Sequence, residues 1–290
     1  MTEPLAPVFF STYPYTGCKL HGTAWPKQLE YEYAHLAESP WAGFRTLHQL
    51  RWVCDAQVYV DGSTYITRAR SVATKHFLMS DKDVWLSLDD DVFVEEEVLR
   101  RQILACRATR GGIALAYTNR DGKSMTFRKV TGPTRWLDPG GTDRESIRLG
   151  LPLRNVDRIG MGCVALHRDL IERLAQDAPH FRELDRPGGV TDCPALFLEG
   201  VQEGSWVGED YYFSALCERA GLPLQVLLEA PCEHQGVSAK LDVDGHICIR
   251  GDEQANRLHV SLREKEALFA AASGEVVEPV PCDPTETLGG

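Results

Sequence analysis

The sequence predicts an α/β fold with a mostly parallel, Rossmann-type central sheet, helices on both faces, and an irregular second half. Two observations carry that prediction. Across residues 8–117, short apolar segments alternate with amphipathic ones in the order strand, helix, strand, helix, strand, helix, strand. Such alternation is what crossovers between parallel strands require. Beyond residue 119 the pattern breaks into segments rich in glycine and proline, and a clear helix-then-strand unit returns only after Gly208.

The elements follow in order. A first strand is expected over residues 8–12, running into the turn Tyr13-Pro-Tyr-Thr-Gly17, whose residues favour reversal over helix. Residues 30–50 have helical character interrupted at Ser39-Pro40. A second strand at 56–60 is closed by Asp61-Gly-Ser63. Ile66, Ala69, Ala73 and Phe77 then recur at helical spacing. The third strand, 84–88, ends in three consecutive carboxylates, Asp89, Asp90 and Asp91. Next come a helix packing Leu99, Ile103 and Cys106, and a strand at 113–117.

In the second half, 124–130 and 156–166 read as strands flanking a glycine- and proline-rich loop that includes Thr131-Gly-Pro133 and Asp138-Pro-Gly-Gly141. A short helix is expected at 169–176, and an irregular lid at 182–204. Phe213, Leu216 and Ala220 mark a helix after Gly208, stopped by Gly221 and Pro223, with a strand at 224–228. A hairpin is expected around Asp244-Gly245 and a last helix near 261–272. The whole reads as one domain over 1–275 with a disordered tail at 276–290.

Composition bounds the function. With 290 residues, 43% of them hydrophobic, the chain can bury a full core without a second domain. No run of about 18 apolar residues and no signal-like N-terminus occurs, so the expectation is a soluble, cytoplasmic protein with no membrane partner. The nine cysteines show no metal-ligand spacing and read as reduced thiols. A net charge of −11 disfavours general adhesion to nucleic acid. Residues 119–158 nonetheless carry nine basic and five acidic side chains, a local +4 that can meet phosphates.

Carboxylates at the end of a buried strand lie where open α/β sheets bind ligands. Side chains two apart on an extended segment share a face, so Asp89 and Asp91 are expected to converge on one cation while Asp90 turns away. Glu209 and Asp210 open a helix much later in the chain, and His234 follows the strand after it. Each cluster also has an ordinary explanation, since acidic residues suit helix N-termini and a loop histidine is usually solvated. Asp242-Val-Asp-Gly245 lacks the remaining ligand positions of a calcium loop and is set aside.

Taken together and in order, these residues resemble the GT-A glycosyltransferases over most of residues 8–236. Val60-Asp-Gly-Ser63 resembles the aspartate that meets the nucleobase, Arg68-Ala-Arg-Ser71 the Ala-Arg-Asn element, and Leu88-Asp-Asp-Asp-Val92 the D-x-D motif. Ile159-Gly-Met-Gly-Cys163 resembles the strand lining the sugar pocket, Glu209-Asp210 the acidic pair near the acceptor, and His234 the late metal-binding histidine. The resemblance implies a nucleotide-binding half at about 5–118, an acceptor half at about 119–275, and a nucleotide-diphosphate sugar as donor.

It also implies Mn²⁺ or Mg²⁺ held by Asp91, Asp89 and His234. Asp61, Arg68, Arg70, Asp89 and Asp90 are then expected at the donor, with Arg68 or Arg70 on its phosphates. Asp210, with Glu209 second, is the candidate base for an inverting reaction. The acceptor stays open among protein, glycan and modified nucleic acid. Three alternatives remain: a nucleotidyltransferase of similar fold, a two-metal nuclease or polymerase, and a non-catalytic binding or structural protein that keeps the fold.

Overall fold

The structure is a computed structural model that describes residues 4–13, 22–24, 42–60, 65–118, 128–137, 151–184, 190–202, 204–234, 237–244 and 246–250. Its first half follows the predicted alternation. β1 (Leu5–Thr12), β2 (Gly22–Ala24), α1 (Ala42–Leu50), β3 (Cys54–Val60), α2 (Ile66–Met79) and β4 (Val84–Leu88) lead into the aspartates. β5 (Val92–Phe93), α3 (Glu96–Thr109) and β6 (Gly112–Leu115) follow.

The second half contains β7 (Arg128–Leu137), β8 (Leu151–Arg158), β9 (Cys163–His167), α4 (Arg168–Asp177), β10 (His180–Leu184) and β11 (Val190–Pro194). Then come β12 (Gly200–Gln202), β13 (Ser205–Val207), α5 (Glu209–Arg219), β14 (Leu224–Leu227), β15 (Cys232–His234), β16 (Val237–Leu241) and β17 (Ile247–Arg250). Asp61, the last helix at 261–272 and the tail lie outside the described residues, as do Arg120, Lys123, Arg144 and Arg148 of the 119–158 window.

Nine strands form the central sheet in the order β2-β3-β1-β4-β9-β6-β14-β8-β7. β3, β1 and β4 are parallel neighbours, as are β6 and β14. β1, β3, β4 and β6 are the strands that the alternation predicts, and with β14 they all run in one direction. Between the two groups lies β9, antiparallel to both β4 and β6.

The single strand expected at 156–166 is in fact two. β8 pairs with β14 and β7, while β9 enters the middle of the sheet after a turn at Ile159-Gly-Met-Gly162. The loop expected at Thr131-Gly-Pro133 is also corrected, because β7 runs through it. Proline lacks a ladder donor and is tolerated on an edge or at a bulge. β7 is an edge strand, and its register shifts between Thr131 and Arg135. The expected irregular lid at 182–204 instead contains most of the β10–β11 hairpin and all of β12.

Strand alternation sorts the core into two layers. Val8, Phe10, Val84, Leu86 and Leu88 pack with Leu47 and Leu50 of α1 and Leu99 and Ile103 of α3. Phe9 and Trp85 face the other way, toward Ala69, Ala73 and Phe77 of α2, Leu170 and Ile171 of α4, and Phe213 of α5. Trp85 is completely buried, with ring centres 5.9 Å from Phe77 and 6.0 Å from Phe197, and Phe197 stacks on Phe213 at 4.9 Å. Helices therefore cover both faces. A second, four-stranded sheet, β17-β16-β15-β5, continues from the aspartate turn.

At the opposite edge, Arg107 of α3 ties the start of β4 through Asp83, with Nε–Oδ2 2.7 Å and Nη2–Oδ1 2.9 Å, and also donates to the Ala6 carbonyl. Burial pushes the Asp83 carboxyl up, but the bonds and charge of Arg107 outweigh it and hold the group below its ordinary 3.8. A depressed carboxylate stabilises the fold above its unfolded value and loses that contribution as pH falls through the folded one. Arg107→Gln should therefore lower stability at pH 7 by no more than about 1 kcal/mol, since the pair is partly solvated. In denaturant titrations the difference from the parent should shrink below pH 3.8. A pH-independent difference would assign the effect to packing.

Candidate functional site

Asp89 leaves β4 with its N–H donated to the Gly162 carbonyl at 2.9 Å, and a tight turn follows in which Val92 N–H reaches back to Asp89 O at 3.3 Å. α1 supports this turn from below. Gly43 N–H donates to the Asp90 carbonyl at 2.9 Å, and a β-carbon on Gly43 would stand 3.0 Å from Asp90 Cα. The buried Thr46 hydroxyl donates to Val92 O at 3.2 Å and accepts from Val94 N–H at 2.9 Å. Extended geometry ends at Leu88, so the expected alternation of Asp89, Asp90 and Asp91 does not apply.

The turn sends the aspartates to different partners. β5 pairs with β15 so that Val92 lies opposite His234, and Asp91 Oδ2 comes 3.2 Å from His234 Nε2. His234 Nδ1 lies 2.7 Å from the Thr118 carbonyl. A carbonyl and an ionised carboxylate both only accept, so Nδ1 donates to Thr118 and Nε2 donates to Asp91. Tyr117 packs edge-on against the imidazole at 5.5 Å and its hydroxyl accepts the Gly162 N–H at 2.7 Å. Burial pulls the His234 pKa down, but the hydrogen bond and charge of Asp91 overcome this and raise it above 6.5.

Asp89 turns instead to Arg70 of α2, with Oδ1–Nη2 2.5 Å. The other Nη of Arg70 pairs with Glu209, at the start of α5. Arg70 is 2% exposed and its guanidinium lies 5.6 Å from the centre of the Tyr13 ring. The Tyr13 hydroxyl joins a buried network with Ser11 at 2.7 Å, and Ser11 also accepts from Trp85 Nε1 at 2.8 Å. The side chain expected on a donor phosphate is enclosed here, and its two Nη atoms serve carboxylates. Arg68 bonds Glu183 of β10, with Nε–Oε2 3.1 Å.

Asp210 has no ion pair among the described residues. Its Oδ1 accepts the Tyr211 N–H at 2.7 Å. Burial, followed by the charge of Glu209, pushes its pKa up to about 6. α5 is pinned to the rest of the site by Ser214, whose hydroxyl donates to Asp210 O at 2.9 Å and accepts the Ile159 N–H at 3.2 Å. The Ile159–Gly162 turn thus touches both the acidic helix and the Asp89 backbone.

Sequence reasoning missed Thr118, which acts through its carbonyl, and Tyr13, Tyr117, Gly43 and Thr46, which act by packing or backbone contact. Gly43 beside an aspartate turn carries no signal of its own. Among the described residues, a separate group of ligand atoms mutually within 4.8 Å is Asp242, Asp244 and His246 at the β16–β17 turn. Asp242 Oδ1 there accepts the N–H groups of Asp244 and His246, so it also closes the turn.

No protein-family model and no curated protein matches the chain. Among solved structures, "Crystal Structure of A197 from STIV" is 15% identical, with 89% of this chain and 100% of that one covered, at a TM-score of 0.45. "Crystal structure of GalNAc-T7 with UDP, GalNAc and Mn2+" is 11% identical, with 80% of this chain and 43% of that one covered, at a TM-score of 0.42. Likeness at this level does not bear on the chemistry of the site. Among the described residues no helix is long and apolar enough to cross a membrane.

Gly162 is the residue on which the two halves of the site meet. A β-carbon there would overlap Tyr117, standing 2.6 Å from its Cζ. Gly162→Ala should cost about 1–3 kcal/mol of stability, as overpacked core positions do. It should also shift the His234 imidazole resonances in NMR spectra, because Tyr117 packs on that ring. Unchanged stability and resonances would show that Tyr117 moves aside freely.

Proposed function

We propose that the chain is a metal-dependent glycosyltransferase that moves a sugar from a nucleotide-diphosphate sugar to an acceptor hydroxyl. The observation that carries this reading is the gathering of Asp91, His234, Asp89, Arg70, Glu209 and Asp210 from distant segments at one edge of the sheet. Asp91 and His234 fit a divalent cation. Their ligand atoms are 3.2 Å apart, and with Nδ1 donating to Thr118, Nε2 would release the proton it donates to Asp91 and turn to the cation, with the outer support that metal-binding histidines require. When bound, Mn²⁺ or Mg²⁺ would supply Lewis-acid stabilisation to a departing diphosphate.

The chain's own groups divide the remaining work. Glu209 is neutralised by Arg70 and holds α5 against α2. Asp210, free of an ion pair among the described residues and with a pKa pushed up to about 6, suits a base that accepts the acceptor's proton near neutral pH. Donor contacts are assigned to Asp61, Arg68 and Asp90 by their place in the GT-A-like order. Asp89 shapes the same edge through Arg70.

Asp91→Asn should abolish Mn²⁺ binding in calorimetry while leaving the melting temperature near that of the parent. His234→Ala should weaken Mn²⁺ affinity by about 10-fold to 100-fold. A thermal-shift screen of nucleotide sugars with Mn²⁺ should then identify a donor that stabilises the parent and not Asp91→Asn. Stabilisation of both proteins alike would remove the assignment.

Asp210 yields two pH signatures. The folded value of about 6 exceeds the ordinary 3.8, so this group's contribution to stability is full below 3.8 and is lost as pH rises through about 6. Asp210→Asn should therefore be more stable than the parent at pH 7.5, by up to about 2 kcal/mol, and equal to it near pH 3.5. The parent's kcat/KM should rise through pH 6, and the variant should lose that limb along with about 10²-fold or more of turnover. If Glu209→Gln removes the limb and Asp210→Asn does not, the roles are reversed.

A further inference from the structure

We propose that the β12–β13 hairpin is the acceptor platform and that the acceptor is a neutral saccharide, one ring of which stacks on Trp206. The inference rests on the function proposed above and names the substrate class that the same site would take. Val201 and Trp206 lie directly opposite each other in the hairpin and therefore share one face of it. They are 71% and 69% exposed. Leaving an indole and a valine side by side in water forgoes the burial that such side chains favour, and tryptophan is enriched where proteins bind other molecules. A β-carbon added at Gly200 or Gly204 would meet nothing within 4 Å, so the space around the hairpin is open.

Both ends of the hairpin are fixed to the helix that carries the candidate base. On the entry side Phe197 is fully buried, stacked on Phe213 of α5 at 4.9 Å and edge-on to Trp85 at 6.0 Å. On the exit side β13 ends at Val207, and Gly208 opens α5, its carbonyl accepting the Tyr212 N–H at 2.9 Å. Trp206 and Asp210 are four residues apart, so their α-carbons lie within about 14 Å of each other. A single oligosaccharide can span that distance, with a hydroxyl at Asp210 and another ring on the indole.

Charge selects this occupant. Residues 187–218 include Asp192, Glu199, Glu203, Glu209, Asp210 and Glu218 but no lysine or arginine. A phosphate- or carboxylate-bearing acceptor is repelled by such a segment. Ionised carboxylates only accept hydrogen bonds, which suits a ligand rich in hydroxyl donors. An apolar face of two side chains is also far smaller than the roughly 20–30 residues that a stable protein interface uses on each side, so it does not fit a folded protein partner. A sugar ring meets both conditions, since its C–H face packs on an indole while its edge carries hydroxyls.

An array of neutral oligosaccharides, acidic oligosaccharides, single-stranded RNA and unstructured peptides, probed with labelled protein in the absence of donor, tests this without any turnover. The parent should capture neutral oligosaccharides in preference to the other classes. In calorimetry with the best of them, Trp206→Ala should weaken affinity by at least about tenfold, and Trp206→Phe should restore most of it. Both variants should melt near the parent's temperature, because position 206 is exposed.

Equal affinity of the parent and Trp206→Ala would overturn the proposal. So would a preference for RNA, acidic glycans or peptides, or capture of no neutral oligosaccharide. Mn²⁺-dependent thermal stabilisation by a nucleotide sugar reads the donor side separately. If it is present without saccharide capture, the transferase reading stands and the platform falls. If it is absent while Trp206-dependent capture persists, the platform stands as a saccharide-binding surface and the transferase reading falls.

Discussion

The pairing of buried Arg70 with Asp89 and Glu209 is the constraint around which the candidate site is arranged. It joins α2, the end of β4 and the first turn of α5 through one side chain that is 2% exposed. Burying a guanidinium is expensive, and pairing it seldom adds much net stability over a well-packed apolar substitute. What the arrangement gives is geometry. Both of those carboxylates bond Arg70, whereas the neighbouring Asp91 meets His234 and Asp210 accepts the Tyr211 N–H. Adjacent acidic residues thereby acquire different chemical characters.

The layers beneath explain why this arrangement is rigid. Trp85 packs under α2 against its Phe77, and Trp85 also donates to Ser11, which meets the Tyr13 hydroxyl beneath Arg70. α1 grips the aspartate turn through Gly43 and Thr46, and Gly162 ties Asp89 to Tyr117 and through it to His234. Apolar burial thus sets the position of the strand ends, and a small number of backbone hydrogen bonds sets the direction in which each carboxylate points.

Much of this was legible in the sequence, for identifiable reasons. β4 was found at its observed limits because residues 84–88 are a buried run ending in carboxylates, and α2 and α5 because their apolar spacing is helical. The site's acids and His234 stood at element ends, where a single chain of residues reveals them. The divergence of Asp89 and Asp91 was not legible, because it depends on a turn held by residues remote in sequence, Gly43 and Gly162. The insertion of β9 between β4 and β6 was hidden by the continuous strand-like character of 156–166, and β7 by a proline that only an edge position permits. Arg68 looked equivalent to Arg70 until the β10 hairpin supplied Glu183.

The divalent cation proposed between Asp91 and His234 can be located crystallographically. Crystals grown with Mn²⁺ and a nucleoside diphosphate, measured at the manganese absorption edge, test it directly. An anomalous peak is expected within bonding distance of Asp91 Oδ2 and His234 Nε2, with Asp89 still on Arg70. A peak at Asp242, Asp244 and His246 alone, or none at the aspartate turn, would contradict it.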